Sequence, residues 1–272
     1  MAIIGVGKHE SLLTYFKEMW VRRELFVYLA WRDFTVRYKQ SLIGITWALL
    51  RPLLTMTIFV IVFGYFVKVP SAGVPYPLLV CAGILPWQLF SNSFSDSSNS
   101  LIANSALISK VYFPRLLVPF SSVVVGFVDF MISCILLLIL MVWYGVTPSL
   151  RLLGLPAFIL LALLAAAAAG IWMSALTVKY RDFRHLSPFI LQLGLYVSPV
   201  GFSSSIVPEK WQFLYHLNPM ASVIDGFRWA VLNENNVLTL QHLAMATIIV
   251  MSLLITGIMF FRKVERTLAD VI

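Results

Sequence analysis

Apolar residues run along this chain in long blocks, separated by short stretches where Lys, Arg, Pro, Gly and Ser concentrate. Crossing about 30 Å of hydrocarbon takes roughly 20 apolar residues at a helical rise of about 1.5 Å each. Six segments reach or approach that length: 45–67, 77–98, 117–144, 152–178, 186–202 and 240–261. They predict an all-α integral membrane protein with six transmembrane helices. The fifth segment is the shortest and holds Pro188, Gly194, Pro199 and Gly201, the marks of a helix kinked or broken at depth.

Two regions outside the spans carry their own pattern. Near the N-terminus Leu12, Phe16, Met19 and Trp20 recur at helical spacing beside Lys17, Glu18, Arg22 and Arg23. This predicts an amphipathic helix, lying either in the membrane surface or on the protein's own cytoplasmic face. Residues 1–44 therefore form an N-terminal cytoplasmic segment and 45–272 the six-helix membrane domain. The stretch 203–239 is too apolar for a free loop and is divided by Asn218-Pro219, which predicts two short amphipathic helices at the outer interface. In the fourth span Ala166, Gly170 and Ser174 follow a small-xxx-small spacing that lets a neighbouring helix approach closely.

The second span changes character halfway. Its apolar start gives way to Ser91, Asn92, Ser93, Phe94, Ser95, Asp96, Ser97, Ser98, Asn99 and Ser100. If helical, this half faces protein or water, because unpaired polar groups in lipid cost several kcal/mol. Facing water, it would line the inner half of a path for a polar cargo. The alternative is that the chain has already left the membrane near Ser91.

Composition sharpens the class. A chain that is 60% hydrophobic and 12% charged lies outside the range of soluble domains, where about a quarter of residues are charged. The net charge of +8 does not point to nucleic acid, because the basic residues sit between apolar segments rather than in an aromatic-interleaved patch. With the N-terminus inside, fifteen of the 20 Lys and Arg fall on the cytoplasmic side, so the positive-inside rule predicts that both termini are cytoplasmic. No cleaved targeting segment is expected, since the first forty residues carry charges of both signs and no early apolar core. Cys81 and Cys134 both lie in apolar runs, which supports neither a disulfide framework nor a thiolate metal site.

Candidate chemistry is sparse. His9, His185, His216 and His242 are scattered without ligand spacing, so no metal is expected. Gly5-Val6-Gly7-Lys8 lacks the glycine spacing of a phosphate loop, so ATP binding by this chain is not expected either. Arg51 and Asp129 are ionisable groups inside spans and therefore functional candidates, either in a proton relay or paired within the bundle. A membrane-embedded transferase would need clustered acidic or His residues at the interface, and a proton-coupled carrier would need more buried carboxylates. Aromatics are abundant, and interfacial belts account for them more readily than sugar stacking.

Several motifs in order resemble one family. Arg32-Asp33-Phe34, Arg37-Tyr38-Lys39-Gln40-Ser41, Gly44, Trp47 and Arg51-Pro52-Leu53 precede and open the first span. Gly83-Ile84-Leu85-Pro86-Trp87 with Phe90 follows in the second, then 107–115, Tyr180-Arg181-Asp182 and Leu217-Asn218-Pro219-Met220. Across nearly the whole chain this is similar to the permease subunits of ABC-2 type exporters of bacterial polysaccharides, O-antigen, capsule and teichoic acid among them. The resemblance implies a homodimer in the cytoplasmic (inner) membrane, joined to two copies of a separate ATP-binding cassette subunit that holds ATP and Mg. The cargo would be a lipid-linked polysaccharide, with O-antigen foremost. It implies a coupling segment of Lys110, Val111, Tyr112, Phe113, Pro114 and Arg115, read as an exposed aromatic knob between two charges, and a second cytoplasmic loop at Tyr180, Arg181 and Asp182. The polar half of the second span, with the aromatics beside it, gives a candidate channel lining of Trp87, Phe90, Ser91, Phe94, Ser95, Asp96 and Ser98, and the resemblance further implies an outer gate of Trp211, Asn218, Pro219, Phe227 and Arg228.

Overall fold

The computed structural model describes residues 12–39, 44–71, 73–233 and 238–265, and Gly5 to His9, Gln40-Ser41 and Arg266 lie outside them. All regular structure among the described residues is helical. Two N-terminal helices, α1 (Leu12–Val21) and α2 (Arg23–Lys39), precede α3 (Thr46–Phe59), which continues into a π-helical stretch Val60–Phe66. Then come α4 (Tyr76–Ala103), the single turn α5 (Ser105–Ile108), α6 (Leu117–Trp143) and α7 (Leu155–Lys179), the last entered through a 3₁₀ turn. The chain ends with α8 (Phe183–Val197), α9 (Glu209–Tyr215), α10 (Pro219–Leu232) and α11 (Leu240–Glu265).

Four stretches are long and apolar enough to cross a membrane: Thr46–Phe66, Leu117–Trp143, Leu150–Lys179 and Leu240–Glu265. Helix α4 has the length, with 28 residues, but its second half is too polar. It nevertheless stays helical through Ser91 to Ala103 rather than leaving the bundle at Ser91. Helix α8 has only 15 residues, about 22 Å, and keeps Pro188 inside. The breaks expected around it fall after Val197, where Ser198 turns extended.

Helix α4 is the axis, packed between α6 and α7. Lipid tails give apolar side chains no reason to leave them, so close backbone approach and hydrogen bonds must hold such helices together. Both are present. A Cβ on Gly126 of α6 would lie 2.2 Å from Ser93 Oγ, and one on Gly170 of α7 would lie 2.5 Å from Ser97. The small-residue spacing of the fourth span thus serves its contact with α4, with Ala166 and Ser174 also buried. Three of the six α4 serine hydroxyls bond carbonyls three residues back, Ser91 to Gln88 at 3.3 Å, Ser98 to Ser95 at 2.9 Å and Ser100 to Ser97 at 2.7 Å, and Ser93 reaches the Val123 carbonyl of α6 at 3.4 Å.

At the end bearing both described chain termini, a second apolar cluster forms around Leu29, Leu116, Phe113 and Phe261. The N-terminal helices belong to it. Tyr15 is buried and Met19 partly so, while Phe16 and Trp20 stay exposed. Helix α2 lies along α6.

The opposite end is closed by α10. Sequence patterning predicts an amphipathic surface helix there, but nearly all of α10 is buried among α4, α7 and α11. The reason is tertiary: Gly226 lets the Phe158 ring sit where a Cβ would be, and Phe227 meets Phe130 edge-on at 6.0 Å. In the same layer the rings of His216 and His242 stack at 3.7 Å, and His216 Nδ1 lies 3.2 Å from Ser222 Oγ. Burial first, then His242, push the His216 imidazole from 6.5 down to about 4. Between those values the unfolded chain binds more protons, so this group's stability contribution is present at neutral pH and declines as pH falls through that window. The thermal midpoint should drop between pH 7 and pH 5, and His216→Gln should flatten that dependence. An unchanged slope in the variant would assign the acid sensitivity elsewhere.

Candidate functional site

Two loops that resemble family motifs emerge at the end bearing the chain termini. In the first, between α5 and α6, Val111 is 48% and Tyr112 64% exposed, whereas Phe113 is 3% exposed and Pro114 is buried. The expected knob is therefore corrected to Val111 and Tyr112. Phe113 points the other way and fills the apolar cluster with Leu116 and Ile108. A fully buried Phe contributes about 1.5–3 kcal/mol relative to exposure, which outweighs presenting it to water.

This loop is anchored from both ends of the chain. The Glu265 carboxylate accepts from the Arg115 backbone N–H at 2.9 Å and from the Tyr15 hydroxyl at 3.0 Å. The Arg115 guanidinium donates to the Glu265 carbonyl at 2.8 Å, and Arg22 donates to the Tyr112 carbonyl at 2.8 Å. Burial, then the Glu265 charge, push the Tyr15 hydroxyl far up, so it remains a donor. Arg115, expected as an outward charge, is used inward. Tyr15 and Glu265 carried no signal in the sequence, because they are 250 positions apart, and Arg22 read there only as part of an amphipathic flank. In the second loop Tyr180 is half exposed with the Lys179 ammonium 5.2 Å above its ring, and Arg181 and Asp182 are exposed.

Deeper in the bundle, α2 delivers Arg37 to two carboxylates on different helices. Its guanidinium donates to Asp96 of α4 at 2.5 Å and to Asp129 of α6 at 2.6 Å. The Tyr38 hydroxyl also donates to Asp129. Of the two readings open for Asp129, the geometry is that of pairing. Ser133 closes the same corner, donating to the Ala48 carbonyl of α3 at 2.8 Å. Arg51 lines the adjacent cavity of about 290 Å³, together with Trp47, Gln88 and Asn92. On the other side of Arg37 lies a cleft of about 550 Å³ walled by α2, α4 and α6, where Arg32 pairs with Asp33 at 2.6 Å and donates to Asn104.

The α4 residues assigned to a channel divide in two. Trp87, Phe94 and Ser98 are buried within the chain, whereas Phe90, Ser91, Ser95 and Asp96 are half-buried. Trp87, Phe90 and Phe94 form a ladder with centroid spacings of 5.5 and 5.9 Å.

The residues assigned to an outer gate are mostly structural. Asn218 caps α10, accepting from the Met220 N–H at 3.1 Å and donating to Ser198 at 2.9 Å, with Pro219 in the first helical position where its missing N–H costs nothing. Arg228 is 1% exposed, and its guanidinium donates to the carbonyls of Val200 at 2.9 Å, Phe202 at 2.8 Å and Leu79 at 3.1 Å. Gly83 makes room for it, since a Cβ there would lie 2.7 Å from the guanidinium and from the Val200 carbonyl. Trp211 alone is exposed, with Lys210 beside its ring. Among the described residues no three His, Cys, Asp or Glu side chains gather as a metal site.

Comparison with known proteins places this arrangement. The chain is 30% identical to an O-antigen export system permease protein RfbA of Klebsiella pneumoniae over 250 residues, covering 92% of this chain and 95% of that one. It is 28% identical to a protein of the same name from Myxococcus xanthus, covering 80% and 84%. With the polysialic acid transport protein KpsM of Escherichia coli the identity is 24%, covering 87% and 92%. The ABC-2 type transporter model matches residues 24–232, from the start of α2 to the end of α10, and this protein belongs to that family of membrane transport proteins.

Proposed function

We propose that this chain is the membrane-spanning permease subunit of an ATP-driven exporter that moves a lipid-linked polysaccharide of the O-antigen class across the bacterial inner membrane. The observation that carries the reading is the similarity to O-antigen permeases over nine-tenths of the chain. The spans are α3, α4, α6, α7, α8 and α11, with α9 and α10 at the outer face and both termini in the cytoplasm. The excess of Lys and Arg at the end bearing the termini supports that orientation.

The working unit is a homodimer with two ATP-binding cassette subunits, which hold ATP and Mg and perform hydrolysis. Val111 and Tyr112 dock into the ATPase, as an exposed aromatic beside charged residues suits a partner's cleft. Its motion then passes through Arg115 and Glu265 to α11, and through Tyr15 and Arg22 to the N-terminal helices. The half-buried Phe90, Ser91, Ser95 and Asp96 face the path, and Trp87 and Phe94 back them.

The test is an affinity purification of the tagged chain from native membranes in mild detergent. A cassette-type ATPase should accompany it in equal amount, and deletion of the chain should trap polymer in the cytoplasm. Reproducible absence of an ATPase, with the chain intact and folded, would overturn the reading.

A further inference from the structure

We propose that the cavity behind the Arg37 junction is a binding site for an uncharged sugar residue, one glycosyl unit of the exported polymer; this rests on the function proposed above. Its principal wall is a stripe on α4. Gln88, Asn92 and Asp96 follow one another at i, i+4 and i+8, which puts them one above another on a single helix face.

The two amides are the telling groups. Each offers two donors and an acceptor, yet neither side chain has a hydrogen-bond partner among the described residues, while Ser91 beside them bonds back to the Gln88 carbonyl and Ser93 to the Val123 carbonyl of α6. Counted from Tyr76, Gln88 and Asn92 lie about 18 and 24 Å along a helix that needs about 30 Å to cross the hydrocarbon. At that depth an amide left without partners costs several kcal/mol, so the space they face holds water or a ligand that replaces it.

Charge selects the class of ligand. Arg37 and Arg51 stand against Asp96 and Asp129, a formal sum of zero. An entering phosphate would meet two carboxylates, and an ammonium would meet two guanidinium groups. A hydroxyl both donates and accepts, so a ring carrying several can give hydrogen bonds to the carboxylates while taking them from the amides and guanidinium groups. Trp47, 43% exposed on the same cavity, supplies a flat apolar surface for the C–H face of a pyranose. Beyond Arg37 the larger cleft continues the polar lining with Ser95, Asn99 and Asn104, giving a chain of more than one sugar room to extend.

The experiment uses the purified protein with its co-purifying ATPase in nanodiscs, titrated with octyl β-D-glucopyranoside and followed by saturation transfer to the sugar-ring protons. Tail-matched octyl phosphate is the competitor. The wild type should saturate, octyl phosphate should not displace the glucoside, and Asn92→Leu and Gln88→Leu should each raise the dissociation constant at least tenfold. Their thermal midpoints should hold, since neither amide bonds another of the described residues. Should a leucine variant misfold, Trp47→Leu on the exposed rim carries the same test. Equal binding in wild type and variants would reduce the signal to bilayer partitioning, and displacement by octyl phosphate would make this an anion site. Either result overturns the sugar site while leaving ATPase co-purification, and with it the exporter reading, intact.

Discussion

Replacing Arg228 by alanine is expected to loosen the end of the bundle closed by α10, at a cost of about 3–5 kcal/mol, because three buried carbonyls lose their charged donor. The guanidinium links three segments distant in sequence: α10, the N-terminal turns of α4 through Leu79, and the loop after α8 through Val200 and Phe202. Hydrogen bonds to a charged donor contribute about 1.5–3 kcal/mol each, so their joint loss dominates any effect of side-chain size. The thermal midpoint in nanodiscs should fall by roughly 10 °C for a chain of this length. Gly83→Ala should act in the same direction, because its Cβ would meet the guanidinium and the Val200 carbonyl at 2.7 Å. The two changes should be partly non-additive in a double-mutant cycle, since the clash with the guanidinium disappears with Arg228 while the one with the Val200 carbonyl remains. A midpoint shift under about 2 °C for Arg228→Ala would show that this network does not hold α10.

The second large effect separates two neighbouring aromatics. Tyr112→Ala should leave the fold intact, as the ring is 64% exposed and Arg22 holds the backbone carbonyl, which the substitution keeps. It should cut retention of the ATPase at least tenfold, since truncating an aromatic anchor commonly costs 2 kcal/mol or more of binding. Phe113→Ala should behave oppositely. It removes a buried ring from the cluster around Leu116 and Phe261, and a Phe→Ala change in a core costs about 3–5 kcal/mol, so the yield of folded protein falls before coupling can be measured. Normal ATPase retention by Tyr112→Ala would remove this loop from the docking surface.

Much of the architecture was legible because the bilayer imposes it. Hydrocarbon forces backbone groups to pair within a segment, so length and apolarity alone translate 117–144, 152–178 and 240–261 into α6, α7 and α11. The second span shows where that rule stops. Its polar half reads equally as a channel wall or as a loop, and the choice depends on what stands opposite. Gly126 and Gly170 bring α6 and α7 against Ser93 and Ser97, and the hydroxyls of Ser91, Ser98 and Ser100 turn back to their own helix. Helix α10 is the same case. Its composition suits an interface, and only the fit of Gly226 under Phe158 and of Arg228 beside Gly83 buries it.

By itself the sequence determined the membrane class, the helical segments, the bias of positive charge toward one end and, through ordered motifs, the family. Each of these rests on local composition or on short spacing, which a linear chain displays directly. The tertiary structure decided which charges meet and which aromatics are free. Arg37 finds Asp96 and Asp129 across 59 and 92 residues, Glu265 finds Tyr15 across 250, and Phe113 turns inward while Tyr112 turns out. Such pairings depend on how helices are placed beside one another, and that placement follows from packing against the whole chain rather than from any stretch of it.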